Sequence, residues 1–223
     1  NLVDTAGIRR KAKVKEDLEF YSVMRSVRAI ENADVCILMI DATRGFESQD
    51  QNIFWLAQKN RKGVVILVNK WDLVENKKAW LEEIHYLIGK NLSQLSGVHV
   101  VPLSAQKKQG LDGLMSAIAS AREVWNKRVG TAELNRWLDT TITHHSPPLV
   151  KGRRLKIKYI TQVKTRPPTF HLFCNMADEF PEAYLRYLTA GMRSAFGLKG
   201  TPIRLILKES DNPFAKKKKR VNK

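Results

Sequence analysis

With 223 residues, 43% hydrophobic and 27% charged, the chain has the composition of an ordinary globular protein and room for one large or two small domains. Its longest apolar runs, such as Val35 to Ile40, fall far short of a membrane span, and its two cysteines, Cys36 and Cys174, sit in apolar segments, which argues against a disulfide framework or a metal cluster. The formal net charge is +17, and it is lopsided: residues 131–223 hold 19 Lys+Arg against 7 Asp+Glu, residues 1–130 only 20 against 15, so the C-terminal part is expected to meet a polyanion, with solubility alone as the alternative.

The chain opens Asn1-Leu2-Val3-Asp4, with neither an initiator Met nor the basic and apolar regions of a secretory signal, so it is expected to start within a longer protein of a reducing cytoplasm. Four apolar runs predict buried parallel strands: Leu2-Val3, Val35–Ile40, Val64–Val68 and Val98–Val101. Amphipathic stretches between them predict helices over about 18–31, 48–60, 76–90 and 111–128. In the second, Ile53, Phe54, Leu56 and Ala57 share a face, and Ser48 with Gln51 suggests a capping box. Strands alternating with helices imply a doubly wound α/β sheet over residues 1–130.

The pattern changes after Gly130. A helix is predicted over Thr131–Thr143, then the Pro147-Pro148 turn, strands over about 154–163 and 169–175, a helix over about 181–196 and a last strand over Pro202–Leu207. This α-β-β-α-β order predicts a small α+β sandwich over 131–210, and the charge run in 211–223 predicts a disordered tail. Trp55, Trp80, Trp125 and Trp137 fall on helical stripes and read as core or interface, and His144-His145 reads as a helix end.

Three motifs each follow a strand, at the carboxyl edge where open α/β sheets bind ligands. After Val64–Val68 comes Asn69-Lys70-Trp71-Asp72. Asp72 can accept the N1–H and N2–H of guanine, which adenine does not offer; the Lys70 stem can lie along the base, and Asn69 can bond the base edge and tie loops together. After Leu2-Val3 comes Asp4-Thr5-Ala6-Gly7, where Asp4 would hold Mg2+ through a water and the Gly7 N–H would approach a terminal phosphate. After Val98–Val101 comes Leu103-Ser104-Ala105, whose Ala105 N–H is expected to bond guanine O6.

These motifs, together with Ile8-Arg9-Arg10-Lys11, Ala29-Ile30-Glu31, Asp41-Ala42-Thr43-Arg44-Gly45, Pro147-Pro148 and Gly200-Thr201-Pro202-Ile203, resemble the C-terminal portion of the Der (EngA) family. These are bacterial GTPases with two tandem G domains and a KH-like domain. The resemblance covers nearly the whole chain. It implies an N-terminally incomplete P-loop GTPase-like sheet followed by a KH-like domain. It also implies a monomeric factor that binds GTP or GDP with Mg2+ and K+, hydrolyses GTP and acts on ribosomal RNA in assembly of the large ribosomal subunit.

In the family the phosphate-cradling Gly-x-x-x-x-Gly-Lys-Ser/Thr loop, the switch threonine and the first G domain precede the position of Asn1, so these residues alone are expected to be inactive. Ile8 stands where many signalling GTPases carry a water-orienting Gln, and an aliphatic side chain cannot orient water. The expected nucleotide set is therefore Asp4, Thr5, Ala6, Gly7, Ile8, Asn69, Lys70, Asp72, Ser104 and Ala105. The RNA set is Lys151, Arg153, Arg154, Lys156 and Lys158 with the tail residues Lys216, Lys217, Lys218, Lys219 and Arg220. The run Arg9-Arg10-Lys11, with Lys13 and Lys15, reads equally as a nucleotide-state reporter or a solvated loop. Gly197-Leu198-Lys199-Gly200 matches the Gly-x-x-Gly loop of KH domains but reads rather as a helix-terminating turn. A non-enzymatic RNA- or protein-binding adaptor on a degenerate G-domain scaffold is the rival reading.

Overall fold

The computed structural model describes residues 2–3, 27–91 and 97–209. They fall into two compact units: one runs to Asn126 and takes in Leu198–Pro202, and the other comprises Lys127–Gly197 and the chain from Ile203.

In the first unit β1 (Val35–Asp41), β2 (Gly63–Asn69) and β3 (His99–Pro102) form a parallel sheet in the order β1-β2-β3. The strand β2 is buried along nearly its whole length because both its faces are covered. Val64, Ile66 and Val68 pack with Phe54 and Ala57 of α1 (Ser48–Lys59) and Ile84 and Ile88 of α2 (Lys77–Asn91). Val65 and Leu67 pack on the opposite face with Ala117 and Ala121 of α3 (Leu111–Asn126). The two-residue period of the strand thus distributes one apolar run between two cores. Residues 27–32 are helical, and Ile30 joins the first of these cores.

Several expectations need correction. Leu2 and Val3 are exposed and belong to no strand among the described residues. The start of α1 is capped one residue earlier than predicted: Glu47 is the N-cap, and its N–H donates to Asp50 Oδ2 at 3.1 Å. A carboxylate at that third position fills the role expected of Gln51. Of the two places expected for Trp55, core or interface, the core is excluded: it is 55% exposed because α1 turns Phe54 and Ala57 inward, and Lys59 lies over its ring at 5.3 Å. Trp125 is buried and donates to the Arg61 carbonyl at 3.0 Å; Trp80 and Trp137 are half-buried.

In the second unit α4 (Thr131–His144) is followed by an antiparallel ribbon, β4 (Leu149–Val150) and β5 (Arg153–Arg154). Its two turn residues, Lys151 and Gly152, both have positive φ (49° and 74°), the geometry that lets a two-residue turn match strand twist. A three-stranded sheet follows, with β6 (Ile157–Lys164) antiparallel and β8 (Arg204–Glu209) parallel to the central β7 (Thr169–Cys174), and with α5 (Glu182–Ala195) inserted between β7 and β8. Ile160, Phe170, Leu172 and Cys174 point inward, and Leu134, Leu138, Leu188 and Met192 are the buried positions of α4 and α5.

The predicted strand over 154–163 is interrupted. Asn175 accepts from Lys156 N (2.8 Å) and donates to the Arg154 carbonyl (3.1 Å), so a side chain takes backbone groups that a ladder would use. The last strand starts at Arg204 rather than Pro202, since proline has no N–H for the ladder, and Arg204 N donates to Pro168 O at 3.0 Å. His144 ends α4, as expected of a helix end. Gly197, at φ +58°, follows the C-cap Phe196 of α5. Gly200, at φ +71°, lies so close to Gly97 that an added Cβ would stand 2.6 Å from its carbonyl oxygen; the Gly-x-x-Gly segment is a helix-terminating turn with Leu198 buried.

No described helix is long and apolar enough to cross a membrane.

Candidate functional site

Parallel pairing brings three strand ends together. Asp41 stands in register with Asn69, and Val68 with Pro102, so the loops after β1, β2 and β3 leave the same edge of the sheet. The pairing continues beyond the strands: Ala42 N donates to Asn69 O (2.9 Å), Leu103 N to Val68 O (2.8 Å) and Trp71 N to Leu103 O (3.0 Å).

Within this frame the Asn69-Lys70-Trp71-Asp72 loop is held by its own side chains. Asn69 Oδ1 accepts from Lys70 N at 2.8 Å and from Ala105 N at 3.1 Å, which ties the loop after β2 to the loop after β3. Loop-tying was expected of Asn69; the Ala105 N–H was expected to face a base, and here it is taken by Asn69. The Asn69 amide nitrogen makes no hydrogen bond among the described residues.

Lys70 adopts the left-handed conformation (φ 61°) and sends its ammonium to Asp41 Oδ2 at 2.7 Å. Asp41 also accepts from Thr43 N (3.0 Å) and Thr43 Oγ1 (2.7 Å). Lys70 first, and then Thr43, hold the Asp41 carboxyl down at about 2. Trp80 Nε1 donates to Ala42 O at 2.9 Å, and its ring meets Trp71 edge-on at 5.5 Å, so the β1 loop and the β2 loop share one aromatic support.

The Asp72 side chain is 8% exposed. The hydroxyl of buried Ser104, chiefly, keeps its carboxyl below the ordinary range, and Lys107 Nζ lies 3.5 Å away. Ser104 therefore acts through Asp72 and also accepts from Lys107 N at 3.2 Å. Its loop closes on itself by Ser104 N to Gln109 O (3.0 Å) and Gln109 N to Ser104 O (3.1 Å). Gly110, at φ +84°, lets the chain pass against Pro102 and Leu103, where a Cβ would stand 2.5 Å from the Pro102 carbonyl oxygen. The result is an ionised, partly dehydrated carboxylate beside an amide nitrogen, with the N–H groups of Lys70, Trp71, Ser104, Ala105 and Lys107 already taken.

Asp4, Thr5, Ala6, Gly7 and Ile8, the expected phosphate and Mg2+ side, lie outside the described residues, as do Arg9-Arg10-Lys11, Lys13 and Lys15. The described residues hold no cluster of three His, Cys, Asp or Glu side chains able to bind a metal. Burial raises the Cys36 thiol to about 11, in keeping with a packing role. Of the expected RNA contacts, Lys151, Arg153, Arg154, Lys156 and Lys158 are exposed on the ribbon and the start of β6, and Lys151 Nζ pairs with Glu179 Oε1 at 2.8 Å. Lys216–Arg220 lie outside the described residues.

Sequence reasoning missed the roles of Asp41, Trp80 and Gly110. Only Asp41 left a usable signal: a carboxylate ending an apolar run parallel to the one that ends in Asn69.

Residues 19–123 match the family model of the elongation factor Tu GTP binding domain, and residues 128–208 match that of the KH-domain-like C-terminal domain of EngA bacterial GTPase enzymes. The GTPase Der of Bartonella tribocorum is 49% identical over 219 residues, and that of Brucella abortus 49% over 222; each match covers 98% of this chain and 46% of the relative. The chain thus spans about half the length of the curated relatives it matches. Among solved structures, an Aquifex aeolicus Era variant bound to GDP and aluminium fluoride aligns with a TM-score of 0.46 at 21% identity, covering 94% of this chain and 76% of that one.

Proposed function

Because the chain belongs to the Der (EngA) family of bacterial GTPases, we propose that it supplies the guanine-reading part of a factor that binds and hydrolyses GTP during assembly of the large ribosomal subunit. One observation carries the nucleotide reading: at the carboxyl end of β2, Asp72 is ionised and largely shielded from water while Asn69 locks its loop to Ala105. A fixed carboxylate of this kind accepts two parallel N–H bonds, and guanine supplies them through N1 and N2. A base without those donors leaves the carboxylate lone pairs that face it unsatisfied, which costs about 1–3 kcal/mol. The Lys70 stem lines the base, with its ammonium anchored on Asp41.

Asp4 takes the water-mediated Mg2+ contact in this proposal, and Thr5–Ile8 the phosphate side, with K+ as the accompanying monovalent ion. The exposed cations from Lys151 to Lys158, with the Lys216–Arg220 tail, contact ribosomal RNA phosphates.

The test of the base assignment is Asp72→Asn in the full-length protein. An amide there offers a donor to a 2-oxo group, so preference shifts from guanosine towards xanthosine nucleotides. Unchanged GTP affinity would overturn the assignment.

A further inference from the structure

We propose that the open face of the β6-β7-β8 sheet is a stacking platform for unpaired RNA bases, with Tyr159 as the contacting ring and Arg204 and Lys208 holding the neighbouring phosphates. This rests on the reading of the second unit as RNA-facing and adds to it a surface and a class of RNA.

The alternation of the strands separates two faces. Ile160, Phe170, Leu172 and Cys174 are fully buried on one. On the other, Tyr159 is 42% and Val163 41% exposed. Tyr159 pairs with Phe173 in the ladder, and their rings lie stacked at 4.2 Å and 12°. His171, two residues along β7, meets the Phe173 ring edge-on at 6.3 Å. Phe173 thus braces one face of Tyr159, and Tyr159 keeps the exposure that a stacking partner requires.

The cations come from the neighbouring strand. Lys208 is in register with Phe173, and Arg204 with Thr169. Thr169, His171 and Phe173 alternate along β7, so the register puts Arg204 and Lys208 on the face of His171 and Phe173; after burial, these two charges are what push the His171 imidazole toward its neutral form. The only acid in the three strands is Glu209, in register with inward-facing Cys174. Aromatic rings interleaved with cations, and with no carboxylate on their face among the residues of the three strands, complement a chain of stacked bases and phosphates; a protein partner is the less favoured occupant.

The test uses the full-length protein and a short single-stranded RNA of mixed sequence, with the same RNA as a duplex for comparison. Tyr159→Ala is expected to weaken single-strand binding by about 5- to 100-fold at unchanged salt dependence, and Tyr159→Phe to retain it. Replacing Arg204 and Lys208 by Gln lowers the log–log salt slope by about 0.7 for each phosphate that is no longer neutralised. Duplex affinity, carried by the ribbon cations, stays within about twofold in the Tyr159 variants. Thermal melting of both Tyr159 variants checks that the fold is kept. Tyr159→Ala binding single strands as the parent does, while the parent binds RNA, overturns the platform and leaves the ribbon cations in their role. A parent that binds neither form overturns the RNA reading of the whole unit. Tyr159 refractory to nitration by tetranitromethane in the RNA-free protein, located by peptide mass mapping, assigns the face to a protein partner and overturns the platform as well.

Discussion

Replacing Gly110 by Ala would test whether the loops after β2 and β3 are held by close backbone packing. Gly110 has φ +84°, a conformation that costs an L-residue about 1–2 kcal/mol. Its new Cβ would also stand 2.5 Å from Pro102 O and 3.1 Å from Leu103 Cα, both backbone atoms of the strand end on which Ser104 and Trp71 depend. Forcing that contact open adds about 1–3 kcal/mol, as for other overpacked sites, and the stiffer unfolded chain returns about 0.4–1 kcal/mol. The net is a loss of roughly 1–4.5 kcal/mol. Gly45→Ala is the internal control: its φ is +76°, but nothing lies within 4 Å of the added Cβ, so only the conformational cost remains, about 0–1.6 kcal/mol after the same offset. Urea unfolding followed by tryptophan fluorescence should place Gly110→Ala well below Gly45→Ala in midpoint, and nucleotide titration of the full-length protein should show the larger affinity loss for Gly110→Ala, since moving Leu103 drags Ser104 from Asp72. Equal stabilities, within about 0.5 kcal/mol, would refute the packing argument.

Two other perturbations probe polar contacts. Lys70 holds Asp41 down at about 2, below its ordinary 3.8, so the pair stabilises the fold above that ordinary value and loses its contribution as acid takes the pH from about 4 to about 2. Lys70 is 52% exposed, so screening limits the pair to about 1 kcal/mol. Asp41→Asn should be less stable than the parent at neutral pH, with the gap closing on acidification; urea midpoints across that range measure it, and a constant gap contradicts the assignment. Asn135 donates to Ile160 O (2.9 Å) and accepts from Ile160 N (3.0 Å), covering the free edge of β6, and it also donates to Thr131 O (2.7 Å). Asn135→Ala should cost about 1–3 kcal/mol and lower the thermal midpoint; an unchanged midpoint would show that water replaces the side chain without penalty.

Much of this molecule is local and therefore readable in one dimension. The run Val64–Val68 announces a strand covered on both faces because each of its residues is apolar, and Asn69-Lys70-Trp71-Asp72 follows it directly, so a ligand-facing edge could be inferred from adjacency alone. Helix stripes were legible for the same reason, and Trp55 shows their limit: a stripe tells which residues share a face but not how wide the covered sector is. Asn175 reaches back about twenty residues to interrupt a run that looks continuous, which no periodicity could reveal. The Asp41–Lys70 pair joins residues from two strands whose register is set by the sheet, and the Ala105 N–H acquires its partner from a loop thirty-six residues earlier.

The sequence by itself determined which residues favour strand, helix and turn, where the Asp72 carboxylate and the Asn69 amide stand relative to a strand end, and how the basic excess is distributed. Only the tertiary structure decided which donors are already satisfied, which glycine must yield to a neighbouring backbone, and which sheet face stays open with Tyr159 on it. The reason is physical: propensity and hydrophobic period act over neighbouring residues, whereas hydrogen-bond satisfaction and close packing depend on groups that meet only when distant segments pair.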